Sequence, residues 1–389
     1  MERRKFLQLT ATGTGGLLVV PQFLTAKNLF VGTDDHSNNV LLFIQLNGGN
    51  DGLNTFIPFT DPLYFKNRPS IGISKNEVIN AINGLGFHPA LKDLANIAQD
   101  GNLTIVQNVG YPNPNRSHFR SQEIWQTASD SHRYLDNGWL GRFLDIQCKD
   151  EGLPSVNVDN IDNLALKASE SKGLTIKDFN KIKRYAISDN ELQLSDNPQL
   201  DFVRKLQFSS LEGMDEIKNA LEKSQNYSES YANNPLSKNL EWMAKLIKGG
   251  LNSKIYYTSL NGFDTHHNQK QLHQNQLRIL NDAIYSFYRD MKQSNLLQYV
   301  TLVVFSEFGR RVKENGTGTD HGTAGPMIII GGGNKGKIIG NNPNLSLLDQ
   351  GDLRYETDFR SVYATLLKHK FNFDSNVINI KNEVIKGIF

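Results

Sequence analysis

Cysteine is almost absent from this chain of 389 residues, since Cys148 is the only one. A disulfide within the chain is therefore excluded, and so is a zinc or iron–sulfur site built from several thiolates. Any bound metal must be held by oxygen and nitrogen ligands, which the nine histidines and the many carboxylates can supply.

The chain also lacks an excess of charge of either sign. It has 42 Lys and Arg residues against 40 Asp and Glu residues, a formal net charge of +2. This balance provides no global basic field for a nucleic acid and no acidic, solvating character. Hydrophobic residues make up 38% of the chain, which suits a soluble globular protein with a real core.

The N-terminal segment has no apolar run of the roughly 20 residues that span a bilayer. It begins with the charged stretch 1–7, which contains two consecutive arginines, continues as a mildly apolar stretch to Val20, and ends near Ala26. This order resembles a twin-arginine export signal, with a frayed amphipathic N-terminus as the alternative. We therefore predict a signal over 1–26, a single domain over 27–389 without a stable membrane span, and a periplasmic or secreted location. The twin-arginine export machinery is then a partner.

Short apolar runs that are typical of buried strands recur along the chain, at 40–46, 103–109, 254–260, 300–305 and 327–330. Helical spacing is clearest over 268–292 and over 358–370, where Asp358 is a plausible N-cap. Strands that alternate with helices predict an α/β fold with a largely parallel sheet. The stretch at about 159–250 lacks strong strand runs, and we predict that it forms a helical insertion.

Polar clusters follow the predicted strands, where open α/β sheets bind their ligands. They lie at 50–51, 112–119, 263–267, 306–311 and 319–323. Each cluster alone is more typical of a turn or surface loop, but together they offer carboxylate, imidazole and hydroxyl groups that suit divalent metals. A two-metal site needs about six ligands. The chain could supply them from Asp51, Ser117, Asp264, His266, Glu307 and His321.

Several strings resemble those of the DUF1501 family, a group of bacterial exported proteins of uncharacterised function. They lie at 46–54, 110–121, 263–266, 306–311, 319–326 and 358–367. That family is similar in turn to the alkaline phosphatase and sulfatase superfamily. The resemblance implies an alkaline phosphatase-like three-layer sandwich, with a central mostly parallel sheet, helices on both faces and a two-metal site.

The resemblance also implies roles for individual residues. Ser117 would be the nucleophile, at the start of a helix from about His118, and the helix N-terminus would favour a bound phosphate or sulfate. The implied metal ligands are Asp51, Asp264, His266, Glu307 and His321. The arginines that could bind the oxygens of the substrate's charged group, with ion pairs as the alternative, are Arg116, Arg310 and Arg311. We expect supporting or structural roles for His118 and His267.

The sequence departs from the superfamily after the strand at 300–305, where Glu307 and Phe308 stand in place of an Asp-His pair. One metal would keep Asp264, His266 and His321, whereas the other would have no imidazole ligand. Three outcomes stay open: a single-metal site, a harder second ion such as Mg²⁺ or Ca²⁺, or a lost activity. We expect one or two divalent ions, drawn from Zn, Mn, Mg and Ca.

The resemblance implies an exported metal-dependent hydrolase of phosphate or sulfate esters, with a small-molecule or polysaccharide ester as substrate, and the balanced charge predicts no nucleic-acid partner. A formylglycine sulfatase is excluded, because neither Cys148 nor Ser117 is followed by Pro-x-Arg at the required spacing. The alternative is a non-catalytic exported metal-binding protein with a degenerate site and a polysaccharide or surface partner. Phe308 favours this alternative, whereas Ser117 and Glu307 favour the enzyme.

Overall fold

The computed structural model describes residues 38–149, 151–170, 173–179, 198–224 and 229–389. The predicted signal at 1–26 lies outside the described residues. Among those residues, no helix combines the length and the apolar character needed to cross a membrane.

The strands of the described chain are mostly short, and the longest have seven or eight residues. In chain order they are β1 (Val40–Asn47), β2 (Phe56–Ile57), β3 (Ile79–Ile82), β4 (Leu85–Phe87), β5 (Leu103–Gly110), β6 (Ser155–Asn157), β7 (Gly173–Thr175), β8 (Ile255–Asn261), β9 (Val300–Ser306), β10 (Gly325–Gly331), β11 (Ile338–Ile339), β12 (Leu348–Asp349), β13 (Asp352–Leu353) and β14 (Thr357–Asp358).

The helices range from a single turn to 26 residues. They are α1 (Gly52–Thr55), α2 (Pro62–Asn67), α3 (Lys92–Gln99), α4 (His118–Thr127), α5 (Trp139–Gln147), α6 (Pro198–Lys223), α7 (Pro235–Lys248), α8 (Gln269–Gln293) and α9 (Phe359–Phe371), with 3₁₀ turns at Pro89–Leu91, Leu164–Leu166 and Ser375–Ile378. The predicted cap of the last helix is confirmed, because the Asp358 carboxylate accepts a hydrogen bond from the backbone N–H of Arg360.

The main sheet has the strand order β11-β5-β10-β9-β1-β8-β6-β7, and β14 pairs with β5. The pairs of β1 with β8 and β9 are parallel, as are those of β6 with β7 and β8 and those of β5 with β11 and β14. Only β10 among the described strands of this sheet runs antiparallel to its neighbours, β5 and β9. The predicted mostly parallel sheet is therefore confirmed. The reversal at β10 follows from its connection, a loop with no crossover helix to carry the chain back.

Helices cover both faces of this sheet, as the α/β prediction requires. Leu41 and Phe43 of β1 face a core that also contains residues of α5 and α9. Trp139 of α5 stacks on Tyr363 of α9 with 4.0 Å between ring centroids, and it meets Phe43 edge-on. Residues that alternate with these along β1 point to the opposite face, where α3 packs against β5 and α7 against β8.

The stretch at 159–250 contains α6 and α7 in its described part. It also contains β7, which pairs in parallel with β6 and extends the main sheet at its edge. Because β7 has only three residues and is partly exposed, it contains no apolar run from which a strand could be predicted.

Candidate metal centre

The parallel strands β8, β1 and β9 are neighbours, so the loops that follow them leave the sheet at the same edge. The loop after β8 carries Asp264 and His266, and the loop between β9 and β10 carries His321. His118, the first residue of α4, reaches the same place. Residues from distant parts of the sequence therefore form one cluster.

Asp264 is the centre of this cluster. Its Oδ1 atom lies 3.0 Å from Nε2 of His266, 3.2 Å from Nε2 of His321 and 3.4 Å from Nε2 of His118. The Nε2 atoms of His266 and His321 are themselves 3.0 Å apart. The ligand atoms of His118, Asp264 and His321 are close enough together to hold one metal ion, and His266 contacts the latter two.

The three imidazoles share one orientation, with Nε2 towards Asp264 and Nδ1 towards an oxygen atom. The Nδ1 partners are Glu307 Oε1 at 2.8 Å for His118, Asp320 Oδ1 at 3.3 Å for His266, and the Arg116 carbonyl at 2.7 Å for His321. When each Nδ1–H donates to its oxygen, each Nε2 is left with a lone pair that points into the cluster. This is the arrangement of metal-binding histidines in proteins.

The cluster fits a divalent metal on its own chemistry. When both Nδ1 atoms carry the proton, the Nε2 lone pairs of His266 and His321 repel each other at 3.0 Å, and a metal cation or a proton between them removes this repulsion. The Nε2 atom of His118 is buried and has no hydrogen-bond partner in the described part of the chain. Three imidazole nitrogens and one carboxylate oxygen form a ligand set that suits zinc and related ions.

Arg310 holds Asp264 in place, and its buried guanidinium is fully engaged. It donates to the Asp264 carboxylate at 2.7 Å and to the carbonyls of Gly48, Gly49 and Phe263. Burial raises the pKa of Asp264, but the hydrogen bond and the positive charge of Arg310 outweigh it and lower the pKa to about 2. The Arg310 side chain has no exposed surface, so it contacts protein groups, in line with the ion-pair alternative.

Two expected ligands, Glu307 and Asp51, have other partners. Glu307 accepts hydrogen bonds from His118 and from the backbone N–H of Gly48, so it orients an imidazole. Asp51 is buried against Arg68 at 2.5 Å. Burial raises the pKa of Asp51, but the positive charge and hydrogen bond of Arg68 outweigh it and lower the pKa. The sequence could not show this, because Arg68 lies in none of the clusters after the strands.

Ser117 lies at the rim of the cluster. It occupies the N-cap position of α4, is exposed, and makes no capping hydrogen bond with its hydroxyl. The carbonyl of the preceding Arg116 accepts from His321, and the following His118 faces Asp264. The hydroxyl is therefore available beside the centre.

Arg116 and Arg311 are both directed by the buried carboxylate of Asp352. Arg116 forms an ion pair with it, and Arg311 Nε lies 3.8 Å from it. About a third of each arginine side chain stays exposed. Two guanidinium groups thus share one carboxylate and keep surface for a further anion.

His118 is the member of the cluster that the sequence reasoning missed. Its imidazole enters the cluster from α4, whereas position 308, in the loop after β9, is a phenylalanine. The ring of Phe308 packs 4.9 Å from both His118 and His321, measured between ring centroids, and so supports the cluster. The available signal was the position of His118 next to Ser117, but nothing in the sequence pairs it with Glu307.

The sequence model of the family described as "Protein of unknown function (DUF1501)" matches residues 102–376, well over half of the chain. The chain therefore belongs to the DUF1501 family, as its motifs predicted. No curated protein matches the chain in sequence.

Several solved structures are similar to the chain at low identity. One is the C-terminal periplasmic domain of EcEptC from Escherichia coli in complex with zinc, with 11% identity, a TM-score of 0.33, and 75% of this chain and 72% of that chain covered. The PsFucS1 sulfatase from Pseudoalteromonas sp. has 9% identity and a TM-score of 0.40, with 94% and 75% covered. The lipoteichoic acid synthase LtaP from Listeria monocytogenes has 8% identity and a TM-score of 0.36, with 86% and 80% covered.

Proposed function

We propose that this member of the DUF1501 family is a metal-dependent hydrolase of phosphate or sulfate esters. One observation carries the proposal: three imidazole Nε2 atoms face the Asp264 carboxylate, and an oxygen atom holds each ring by its Nδ1. A divalent ion bound there would polarise an ester oxygen and favour the ionised form of a nearby hydroxyl.

The residues at the rim supply the rest of the chemistry. The Ser117 hydroxyl is the proposed nucleophile: its oxygen forms a bond to phosphorus or sulfur while the ester alcohol departs, and water then releases the acid. The first N–H groups of α4 have no partner inside the helix and can donate to the oxygens of the charged group. Arg116 and Arg311 bind the remaining oxygens.

The test measures metal content and hydrolysis on the same preparations. We expect the purified chain to contain a divalent ion and to hydrolyse an aryl phosphate or an aryl sulfate. Ser117→Ala should keep the metal and lose the activity by at least about a hundredfold, whereas His321→Ala should lose both. The control is Ser346→Ala, which changes an exposed serine. Full activity in Ser117→Ala would contradict the assignment of the nucleophile.

A non-catalytic metal-binding protein is the second candidate function. It is favoured by the partners of Asp51 and Glu307, which leave ligands for one ion but not for a second ion nearby. In that case, one divalent ion would be bound per chain, neither ester would be hydrolysed, and a polysaccharide or surface partner would be the ligand.

We also propose that residues 1–26 direct the chain out of the cytoplasm through the twin-arginine machinery. The consecutive arginines of the charged start, followed by a weakly apolar stretch, support this. Replacement of Arg3 and Arg4 by lysine should keep the full-length chain in the cytoplasmic fraction. The control is the double variant Lys27→Arg/Lys66→Arg, which exchanges the same two residue types outside the proposed signal. It should leave the location of the chain unaltered.

A further inference from the structure

A second candidate binding site lies at the far end of α4. A cleft of about 510 Å³ is lined by residues that include Ala128, the C-cap of this helix, whereas His118 at the start of the helix belongs to the metal cluster. The ten residues of α4 span about 15 Å, so the two sites are separate. We infer that this cleft binds a tetrahedral oxyanion, either sulfate or phosphate, independently of the metal centre.

Positive charge dominates the cleft. Its cationic side chains are Arg133, Arg142, Arg360 and Lys381, and its one carboxylate is Asp130. Arg360 is compensated, because it pairs with Asp130 at 2.7 Å and with Asp358 at 2.8 Å. For the other three cations, the described residues provide no ion pair. The cleft therefore has an uncompensated positive charge that an oxyanion would neutralise.

Arg142 is held at the wall of the cleft by neutral groups. Its guanidinium donates to the carbonyls of Thr127, Asn137 and Ile378 at 2.9, 3.1 and 3.2 Å. Burial, and secondarily the positive charge of Arg133, lowers the pKa of Arg142 to about 10. An anion beside both arginines would replace this repulsion with attraction.

Ser129 supplies a hydrogen-bond donor that has no other use in the described structure. The side chain is 4% exposed, and its hydroxyl oxygen has no hydrogen-bond partner among the described residues. Buried hydroxyl groups are almost always paired, so the Ser129 hydroxyl is a donor that a ligand in the adjoining cleft can use. An oxygen of sulfate or phosphate can accept this hydrogen bond.

The loop after α4, which carries Ser129 and Arg133, is held in position by contacts with Arg120. Arg120 donates to the carbonyls of Ser131 and Arg133 at 3.0 and 2.7 Å, and its guanidinium lies 3.7 Å from the centre of the Tyr134 ring. A preformed loop lowers the cost of ordering on binding. The cleft also has room beyond one ion, so the oxyanion could be free or could be the end group of an organic ester.

The experiment is calorimetric titration of the full chain with sodium sulfate, sodium phosphate and methyl sulfate, at constant ionic strength set by chloride. Each titration is done on metal-loaded protein and on protein treated with a chelator, because the metal centre is a second place for an anion. We expect saturable binding in both forms. The double variant Arg133→Gln/Lys381→Gln should weaken it about tenfold or more, and Ser129→Ala should weaken it several-fold.

The matched control is Arg278→Gln/Lys386→Gln, which removes two exposed cations outside the cleft. It should bind the anions as the unaltered chain does. Tighter binding of methyl sulfate than of sulfate would support the proposal with an organic ester as the source, and the reverse order would support it with the free ion. The proposal is overturned if neither ion binds, if binding disappears on chelation, or if the cleft double variant binds normally.

Discussion

At the scale of single residues, the metal cluster contains two groups of side chains. The first group faces the proposed ion, and the second group holds the first in place. Asp264 and the three histidines direct ligand atoms into one space. Glu307 and Arg310 surround them from the buried side and direct none of their atoms to solvent. Removal of a member of the first group should cost metal affinity, whereas removal of Arg310 should first cost stability.

His118→Ala tests whether His118 belongs to the group of side chains that face the proposed ion. We expect metal occupancy to fall about as much as in His321→Ala, and by at least tenfold, because each loses one of the proposed ligands. Elemental analysis after gel filtration measures the occupancy. The exposed His267, which follows His266 in the sequence, provides the control. His267→Ala should bind as much metal as the unaltered chain. Undiminished occupancy in His118→Ala would exclude this residue as a ligand.

Arg310→Ala and Arg311→Ala test the two neighbouring arginines. Loss of Arg310 leaves the buried carbonyls of Gly48, Gly49 and Thr319 without this donor and should lower the free energy of unfolding by about 3 kcal/mol or more. Arg311 is partly exposed, so its loss should lower the free energy by less than about 1 kcal/mol. Urea denaturation measures both values. Equal effects would mean that Arg310 does not hold the loops together.

At the scale of elements, the sequence predicted the framework well. The strands around Val40, Leu103 and Val300 and the helix from Asp358 appear within a residue or two of their predicted bounds, because apolar runs and caps are local signals. Pairings between distant residues leave no local signal. The ion pair of Asp51 with Arg68 is such a pairing, and no sequence pattern indicated that this expected ligand has an arginine partner.

Gly48, in the turn after β1, is the point at which backbone packing sets the position of the cluster. Its φ is +119°, and a Cβ atom there would collide with the backbone nitrogen of Asp264. Gly48→Ala should therefore lower both stability and metal occupancy. Gly101→Ala also has a positive φ but no neighbour within 4 Å, so it should cost only about 1 kcal/mol and leave metal occupancy unchanged. Denaturation and metal analysis of both variants measure the contrast.

At the scale of the whole molecule, two buried histidines link stability to pH. Burial, and secondarily the charge of His273, lowers the pKa of His88 to about 3, and burial lowers that of His273 to about 4. The unfolded chain binds protons near pH 6.5, whereas the folded chain keeps both rings neutral. The unfolded state thus holds more protons in this range. Stability should fall as the pH is lowered from about 6.5 towards 4.

His88→Asn tests this linkage and keeps an acceptor for the backbone N–H of Ala90, which His88 now caps. We expect the slope of unfolding free energy against pH to decrease by up to about 1.4 kcal/mol per pH unit between about pH 4 and 6. Urea denaturation at a series of pH values measures the slope. The exposed His132 provides the control, because His132→Asn should leave the slope unchanged.

The pairing of β1 determines when the molecule can assemble. This strand is near the start of the described chain, yet its partners β8 and β9 begin at Ile255 and Val300. Contacts between such distant segments form slowly, since a long loop must close first. During synthesis, β1 therefore stays unpaired until most of the chain has emerged from the ribosome. The four proposed ligands come together only after His321 is made, so the proposed metal would bind in one of the last events of folding.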